Sequence, residues 1–283
     1  MAGQSWRDAW NGVAATIGDR REALLLVEEV SGYEGSDLLL ILDTPAPPRQ
    51  AARLTALAAR RQQGAPLQHL LGHWGFRTLD LAVSPAALIP RPETEQVVEV
   101  ALRELRRLAG RTVVDLGTGT GAIALAIAVE QADTQVYATD CSPPALTLAS
   151  ANLAGHGRAG GSRVRIFEGD WYGALPAELS GHVDLVVSNP PYVSETEWEQ
   201  LEPVVRLHDP RDALVSGPTG LEAIEAVVRE APSWLGESGC VVVEIAPHQA
   251  AEVVVLASAA GFDEFLVERD LAGLDRILVA RIG

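Results

Sequence analysis

The chain has 283 residues, 47% of them hydrophobic and 21% charged, enough to bury a sizeable core and too apolar for a disordered protein. All 22 basic residues are arginine, which excludes any mechanism that needs a Schiff-base lysine or the lysine of a phosphate-binding NTPase loop. The formal net charge of −16 falls almost wholly after residue 75, and that acidity argues against extended contact with a nucleic-acid backbone.

No apolar run approaches the length of a membrane span, and Met1 to Asp8 has no basic stretch followed by an apolar core. A cytoplasmic protein is therefore expected. Cys141 and Cys240 stand far apart without metal-ligand spacing, so neither a disulfide framework nor a cysteine zinc site is expected. The length leaves room for a second domain.

Residues 1 to about 72 read as short helices. Ala23, Leu24, Val27 and Val30 fall at helical spacing in Arg21 to Val30, and Gly32 follows as a stop signal. Further helices are predicted from Ser36 to Leu42, before Asp43-Thr44-Pro45, and from Arg49 to about Arg61. After Gly64-Ala65-Pro66 comes a last apolar turn, Leu67 to Leu71. No catalytic spacing occurs in this small bundle, which suits docking of a partner better than chemistry.

From Gly75 the pattern turns to β-like pieces, Phe76 to Val83 and Ala87 to Ile89, separated by Ser84-Pro85, as in a hairpin linker. Pro90-Arg91-Pro92-Glu93-Thr94-Glu95 then leads into a helix with Val97, Val98, Ala101, Leu102 and Leu105 on its apolar face. Acids in a first helical turn favour the N-terminal dipole, which accounts for most of that segment but not for Arg91 between two prolines.

Arg111 to Leu116 reads as a buried strand, and Gly117-Thr118-Gly119-Thr120-Gly121 follows at once and opens a helix through about Val129. Glycines there allow a tight turn and close approach of a ligand to a helix N-terminus. A second strand from Gln135 ends at Asp140, where a carboxylate can accept the hydroxyls of a ribose. Ser142-Pro143-Pro144 caps the next helix. Gly117, Gly119 and Ala122 match the loose dinucleotide pattern, a weak signal by itself. A third strand, Arg163 to Glu168, ends at Gly169-Asp170-Trp171. The fourth, Val183 to Ser188, stops at Asn189-Pro190-Pro191-Tyr192, where two prolines remove backbone donors and forbid further pairing. Asn-Pro and Pro-Pro are also ordinary turn signals. An acid at the second strand end, acid plus aromatic at the third and Asn-Pro-Pro-Tyr at the fourth suit an adenosine-bearing methyl donor better than NAD. Glu222 to Ala231 and Gln249 to Ala260 read as helices, Cys240 to Ile245 as a fifth strand, and Phe262 to Glu268 with Asp275 to Arg281 as a closing strand pair.

Asp115 to Gly121, Asp140, Asp170-Trp171, Asn189 to Tyr192 and the upstream Ile89 to Glu95 together resemble the bacterial peptide chain release factor N5-glutamine methyltransferases. Asn-Pro-Pro-Tyr is shared with many amino-group methyltransferases, and the Pro-Arg-Pro-Glu-Thr-Glu segment is far more discriminating. The chain departs from the family pattern at His69, where a tyrosine is usual after the glutamine, and at Ser216-Gly217-Pro218-Thr219-Gly220.

The resemblance implies an α/β fold, a Rossmann-like class I S-adenosylmethionine-dependent methyltransferase with a seven-stranded, mostly parallel sheet and one antiparallel strand near an edge. It implies a helical substrate-docking domain over 1–74, a β-hairpin linker over 75–90 and a methyltransferase domain over 91–283. S-adenosyl-L-methionine, leaving as S-adenosyl-L-homocysteine, would be held by Gly117, Thr118, Gly119, Thr120, Gly121, Asp140, Asp170, Trp171 and Asn189. Catalysis would rest on Asn189, Pro190 and Tyr192, and substrate binding on these with Pro191. The implied reaction methylates the side-chain nitrogen of the glutamine in the Gly-Gly-Gln motif of release factors, modulating translation termination. A monomer with no metal, membrane or direct nucleic-acid partner is expected.

The chemistry follows from what an amide lacks. Its nitrogen lone pair is delocalised into the carbonyl, so an enzyme must localise and aim it. The Asn189 side-chain oxygen and the Pro190 carbonyl can take both N–H hydrogens, and Tyr192 can stack on the amide plane. Two other readings stay open: a nucleic-acid amino-methyltransferase using the same motif, disfavoured by the acidity, and a nonenzymatic S-adenosylmethionine-binding protein, which would have degenerate motif residues.

Overall fold

A computed structural model describes residues 4–283; Met1 to Gly3, part of the opening segment read for an export signal, lie outside the described residues. The chain divides into two compact units, 1–73 and 74–283.

The first unit is helical: α1 (Trp6–Ile17), α2 (Arg20–Ser31), α3 (Gly35–Ile41), α4 (Pro48–Gln62) and α5 (Leu67–Leu71). Its helix ends are written locally. Ser5 and Asp8 form a reciprocal capping box at the start of α1, and Asp19 accepts from the backbone of Arg21 and Glu22 at the start of α2. Gly18 and Gly32 end the two helices in the left-handed conformation. Trp6, Leu26, Val27, Leu54 and Leu57 are buried between them. Arg61 on α4 grips Glu22 on α2 through both guanidinium edges.

A hairpin follows, β1 (His73–Phe76) and β2 (Leu79–Ala82), and all of it but His73 belongs to the second unit. Its turn falls inside the Phe76–Val83 run that reads as one strand in the sequence, and Ala87 to Ile89 is not a strand. Tertiary contacts fix the reversal. Arg77 adopts a left-handed backbone, its amide donates to Glu95 (2.9 Å), and its guanidinium binds Glu99 (2.9 Å) and Glu130 (2.6 Å).

The remaining elements are α6 (Pro92–Leu108), β3 (Thr112–Leu116), α7 (Ala122–Glu130), β4 (Gln135–Asp140), α8 (Pro143–Gly155), β5 (Val164–Glu168), β6 (Val183–Ser188), β7 (Val193–Ser194), α9 (Glu195–Trp198) and α10 (Pro203–His208). β8 (Val215–Gly217), α11 (Glu222–Glu230), β9 (Leu235–Glu244), α12 (Ala250–Ala260), β10 (Glu264–Arg269) and β11 (Asp275–Arg281) complete it. Seven strands form one sheet in the order β10-β11-β9-β6-β3-β4-β5. All neighbours are parallel except β11, which runs antiparallel to β9 and β10. This is the expected sheet, with its antiparallel strand one place from an edge.

Because the central strands are covered on both faces, they read as continuous apolar runs rather than alternating ones. One face packs Val97, Val98, Ala101 and Leu105 of α6, all of α7 from Ala122 to Ala128, and Leu153 of α8. The other packs Ile224, Val227 and Val228 of α11 with Val253 and Ala257 of α12. From Ala122 to Ala128 α7 is apolar all round because that stretch lies wholly inside. The chain leaves β3 toward β4 and β5 on one side and returns to place β6 on the other. That puts the switch point between β3 and β6, where open α/β sheets bind ligands at their carboxyl ends.

Candidate active site

A cavity of about 360 Å³ lies at those carboxyl ends. Gly117 and Gly119 after β3, Asp140 at the end of β4, Gly169, Asp170 and Trp171 after β5, and Asn189 and Pro191 after β6 all line it. Thr118, Thr120, Gly121, Pro190 and Tyr192 do not. Thr118 and Thr120 are buried, Thr118 donating to Asp115 (2.6 Å), and a side chain at Gly121 would meet Leu153 and Ala149 of α8. Those three shape the loop from behind.

The loop geometry demands glycine. Gly117, Gly119 and Gly121 all have positive φ, and a Cβ on Gly117 would come within 3.5 Å of the Trp171 ring. Trp171 also sits at φ 42°, an unfavourable value for an aromatic residue. The Asp140 carboxylate is fixed by two backbone donors, the amides of Gly119 (2.8 Å) and Ser142 (2.9 Å). The carboxyl end of β4 is thereby locked to the loop after β3.

Beneath the loop, Asp115 is fully buried on β3. Burial pushes its carboxyl up to about 7, against the pull of hydrogen bonds from Thr118 and the Ala124 amide (3.1 Å). Its Oδ1 has no protein partner among the described residues. Glycines held at positive φ and a preset carboxylate on the cavity wall together fit a nucleoside-bearing ligand.

On the β6 side, the Asn189 amide donates through Nδ2 to the Thr94 hydroxyl (3.0 Å), which donates to Glu244 Oε2 (2.7 Å). The Tyr192 hydroxyl reaches the other oxygen of Glu244 at 3.3 Å. Glu244 ends β9 at 1% exposure, and burial raises its carboxyl to about 7 while Thr94, Arg276 and Tyr192 favour the charged form. Burial also raises the Tyr192 phenol, so it stays protonated and donates. Neither Thr94 nor Glu244 is singled out by sequence reasoning as a site residue. The available signals were the threonine in Pro-Arg-Pro-Glu-Thr-Glu and an acid closing the apolar run Val241-Val242-Val243.

Further parts of the wall come from segments without sequence signals for a site. Ala86, Ala87 and Leu88 line one side, the last two expected as strand, and Pro210, Asp212 and Ala213 another. Arg91 finds its role here: it binds the buried Asp209 (2.7 Å), tying the start of α6 to that second segment.

Comparison with known proteins bears on this site. Residues 14–72 match the PrmC N-terminal domain and residues 93–207 the methyltransferase small domain. The release factor glutamine methyltransferase of Xylella fastidiosa (strain 9a5c) is 42% identical over 84% of each chain. That of Geobacter sulfurreducens is 38% identical over 93% of this chain and 90% of its own. The chain belongs to the release factor glutamine methyltransferase family.

Solved structures of more distant sequence share the fold. The hMettl16 catalytic domain, crystallised with the MAT2A 3′UTR hairpin 6, superposes with a TM-score of 0.56 at 12% identity, covering 83% of this chain and 82% of that one. A methyltransferase from Pyrococcus furiosus gives 0.52 at 16% identity, covering 83% and 98%. Family membership makes the chain a methyltransferase, whose fold and family imply S-adenosylmethionine as methyl donor. No described helix is long and apolar enough to cross a membrane.

Proposed function

We propose that this chain methylates the side-chain nitrogen of a glutamine in peptide chain release factors, within the Gly-Gly-Gln motif that the family resemblance implies. The observation that carries it is the Asn189 carboxamide at the end of β6, on the wall of the cavity that also holds Asp140. Gly117, Gly119, Asp140, Asp170 and Trp171 would hold S-adenosylmethionine, with Asp140 accepting from the ribose hydroxyls. Bound there, the donor supplies an electrophilic methyl on a cationic sulfur.

The protein's part is positioning and electrostatics. The Asn189 oxygen and the Pro190 carbonyl accept the two N–H hydrogens of the glutamine amide and favour a pyramidal nitrogen whose lone pair faces the methyl. As the new N–C bond forms and the sulfur–methyl bond breaks, its electron pair staying on sulfur in the departing S-adenosyl-L-homocysteine, positive charge on nitrogen is stabilised by the same two acceptors, and one N–H proton then leaves to solvent. Tyr192, its hydroxyl anchored on Glu244, stiffens the loop and flanks the amide. Residues 1–73, nearly neutral beside an acidic second unit, would dock the protein substrate, as suits an enzyme acting on the cytoplasmic translation apparatus.

The test is methyl transfer from labelled S-adenosylmethionine to purified release factor, tRNA and DNA in parallel. Label in the release factor glutamine is expected. Label in tRNA or DNA alone would overturn the reading.

A further inference from the structure

Asn189 can serve as an acceptor only if its oxygen, not its NH2, faces the substrate. The two edges of a carboxamide have nearly the same shape, so packing alone does not choose between them. Hydrogen-bond polarity does. An ionised Glu244 is an acceptor only, so the single proton of the Thr94 hydroxyl must go to it, across 2.7 Å. The Thr94 oxygen is then left to accept, and its other neighbour, the Asn189 carboxamide at 3.0 Å, must present its NH2 edge. The Asn189 oxygen is thereby turned to the opposite edge.

We propose that Glu244, acting through Thr94, sets which edge of the Asn189 carboxamide meets the substrate, making Thr94 and Glu244 positioning residues for methyl transfer. This rests on the reading of Asn189 as the acceptor for the substrate amide. The same carboxylate takes the Tyr192 hydroxyl, so one buried acid orients both polar side chains of Asn-Pro-Pro-Tyr.

The device has a built-in failure mode. A neutral Glu244 can donate to Thr94, whose own proton is then free for the Asn189 oxygen. The carboxamide turns over and sets an NH2 group against the substrate's NH2. The groups around Glu244 place this change in an accessible pH range. Arg276 on the adjacent β11 and the Thr94 and Tyr192 hydroxyls favour its charge, while burial and Glu93 on α6 oppose it, leaving its carboxyl at about 7. Arg276 is itself shared with Asp270 (3.2 Å).

The experiment uses the full chain and intact release factor in single turnovers at saturating S-adenosylmethionine, from pH 6 to 9, with cofactor affinity measured separately. Ionisation near pH 7 makes the wild-type rate rise roughly tenfold between pH 6 and 8. Glu244→Gln, which cannot ionise, flattens that profile. Thr94→Val slows transfer about tenfold or more, the loss of one orienting hydrogen bond, without changing cofactor affinity, and Thr94→Ser restores the rate. An Asn189→Ala enzyme that is inactive beside a fully active Thr94→Val enzyme overturns the positioning role alone. A Glu244→Gln enzyme that keeps the wild-type pH midpoint does the same. A fully active Asn189→Ala enzyme overturns the acceptor reading and the inference with it.

Discussion

At the scale of single residues, the site depends on a few groups held before any ligand arrives. Asp140 is preset by the amides of Gly119 and Ser142, so replacing it removes both a ribose acceptor and the tie between two loops. Asp140→Ala is expected to weaken S-adenosylmethionine binding by about 1.5–3 kcal/mol, the range for hydrogen bonds to a charged group, measured by calorimetry. Unchanged affinity in a folded variant would remove Asp140 from the cofactor site. Asn189→Ala should instead leave cofactor affinity largely intact and slow methyl transfer ~100-fold, comparable to losing one preorganised donor or acceptor. Gly220 marks a third point. It has φ +82°, a Cβ there would lie 2.7 Å from the Tyr192 carbonyl oxygen, and Gln249 donates to both the Tyr192 (3.0 Å) and Gly220 (2.9 Å) carbonyls. Gly220→Ala therefore pushes on the Asn-Pro-Pro-Tyr loop from behind. A slower transfer rate with normal cofactor binding is the expected outcome, and wild-type kinetics would show the loop indifferent to that contact.

At the scale of elements, α6 links the site to the far side of the sheet. Its first turn supplies Thr94, and its later turns bury Glu104 at 1% exposure against Arg281 of β11 (2.8 and 2.9 Å) and Arg107 (2.9 Å). Arg281 first, then Arg107, pull the Glu104 carboxyl from 4.5 down to about 2. A carboxyl whose value is lower in the folded than in the unfolded chain stabilises the fold above its unfolded value. That stabilisation is lost as pH falls from about 4.5 toward 2. Glu104→Gln removes the carboxylate that Arg281 and Arg107 share, leaving Arg281 only Glu264 at 3.4 Å, and should cost about 3 kcal/mol at neutral pH. Thermal melts between pH 3 and 7 should show the variant less stable at neutrality and less sensitive to acid. Parallel pH profiles for the two proteins would mean the ion cluster contributes nothing to folding.

At the scale of the whole molecule, charge and division into units bear on what can be recognised. The first unit is nearly neutral and carries its own core, whereas the acidic excess belongs to the unit with the cavity. If residues 1–73 dock the protein substrate, their removal should spare S-adenosylmethionine affinity and lower kcat/KM on intact release factor. A short peptide carrying Gly-Gly-Gln should be affected much less. Equal efficiency of the truncated and full enzymes on intact release factor would exclude a docking role.

The parts legible in the sequence are those governed by neighbours along the chain. Gly32 after an apolar helical face, Ser142-Pro143-Pro144 before α8, the glycines after β3 and the prolines after β6 each act through local backbone limits, so helices, strands and strand ends could be placed from them. Parallel order then brought Gly117, Asp140, Asp170 and Asn189 to one side of the sheet, as the spacing suggested. What only the tertiary structure decided depends on partners far apart in sequence. The hairpin turns at Arg77 because Glu95, Glu99 and Glu130 gather around it, and Ala87 and Leu88 become cavity wall instead of strand. Thr94 and Glu244 meet 150 positions apart, because α6 lies across the carboxyl end of β9. Hydrogen-bond polarity around a buried carboxylate is a property of enclosure and of which groups enclose it, and no local pattern of residues encodes either.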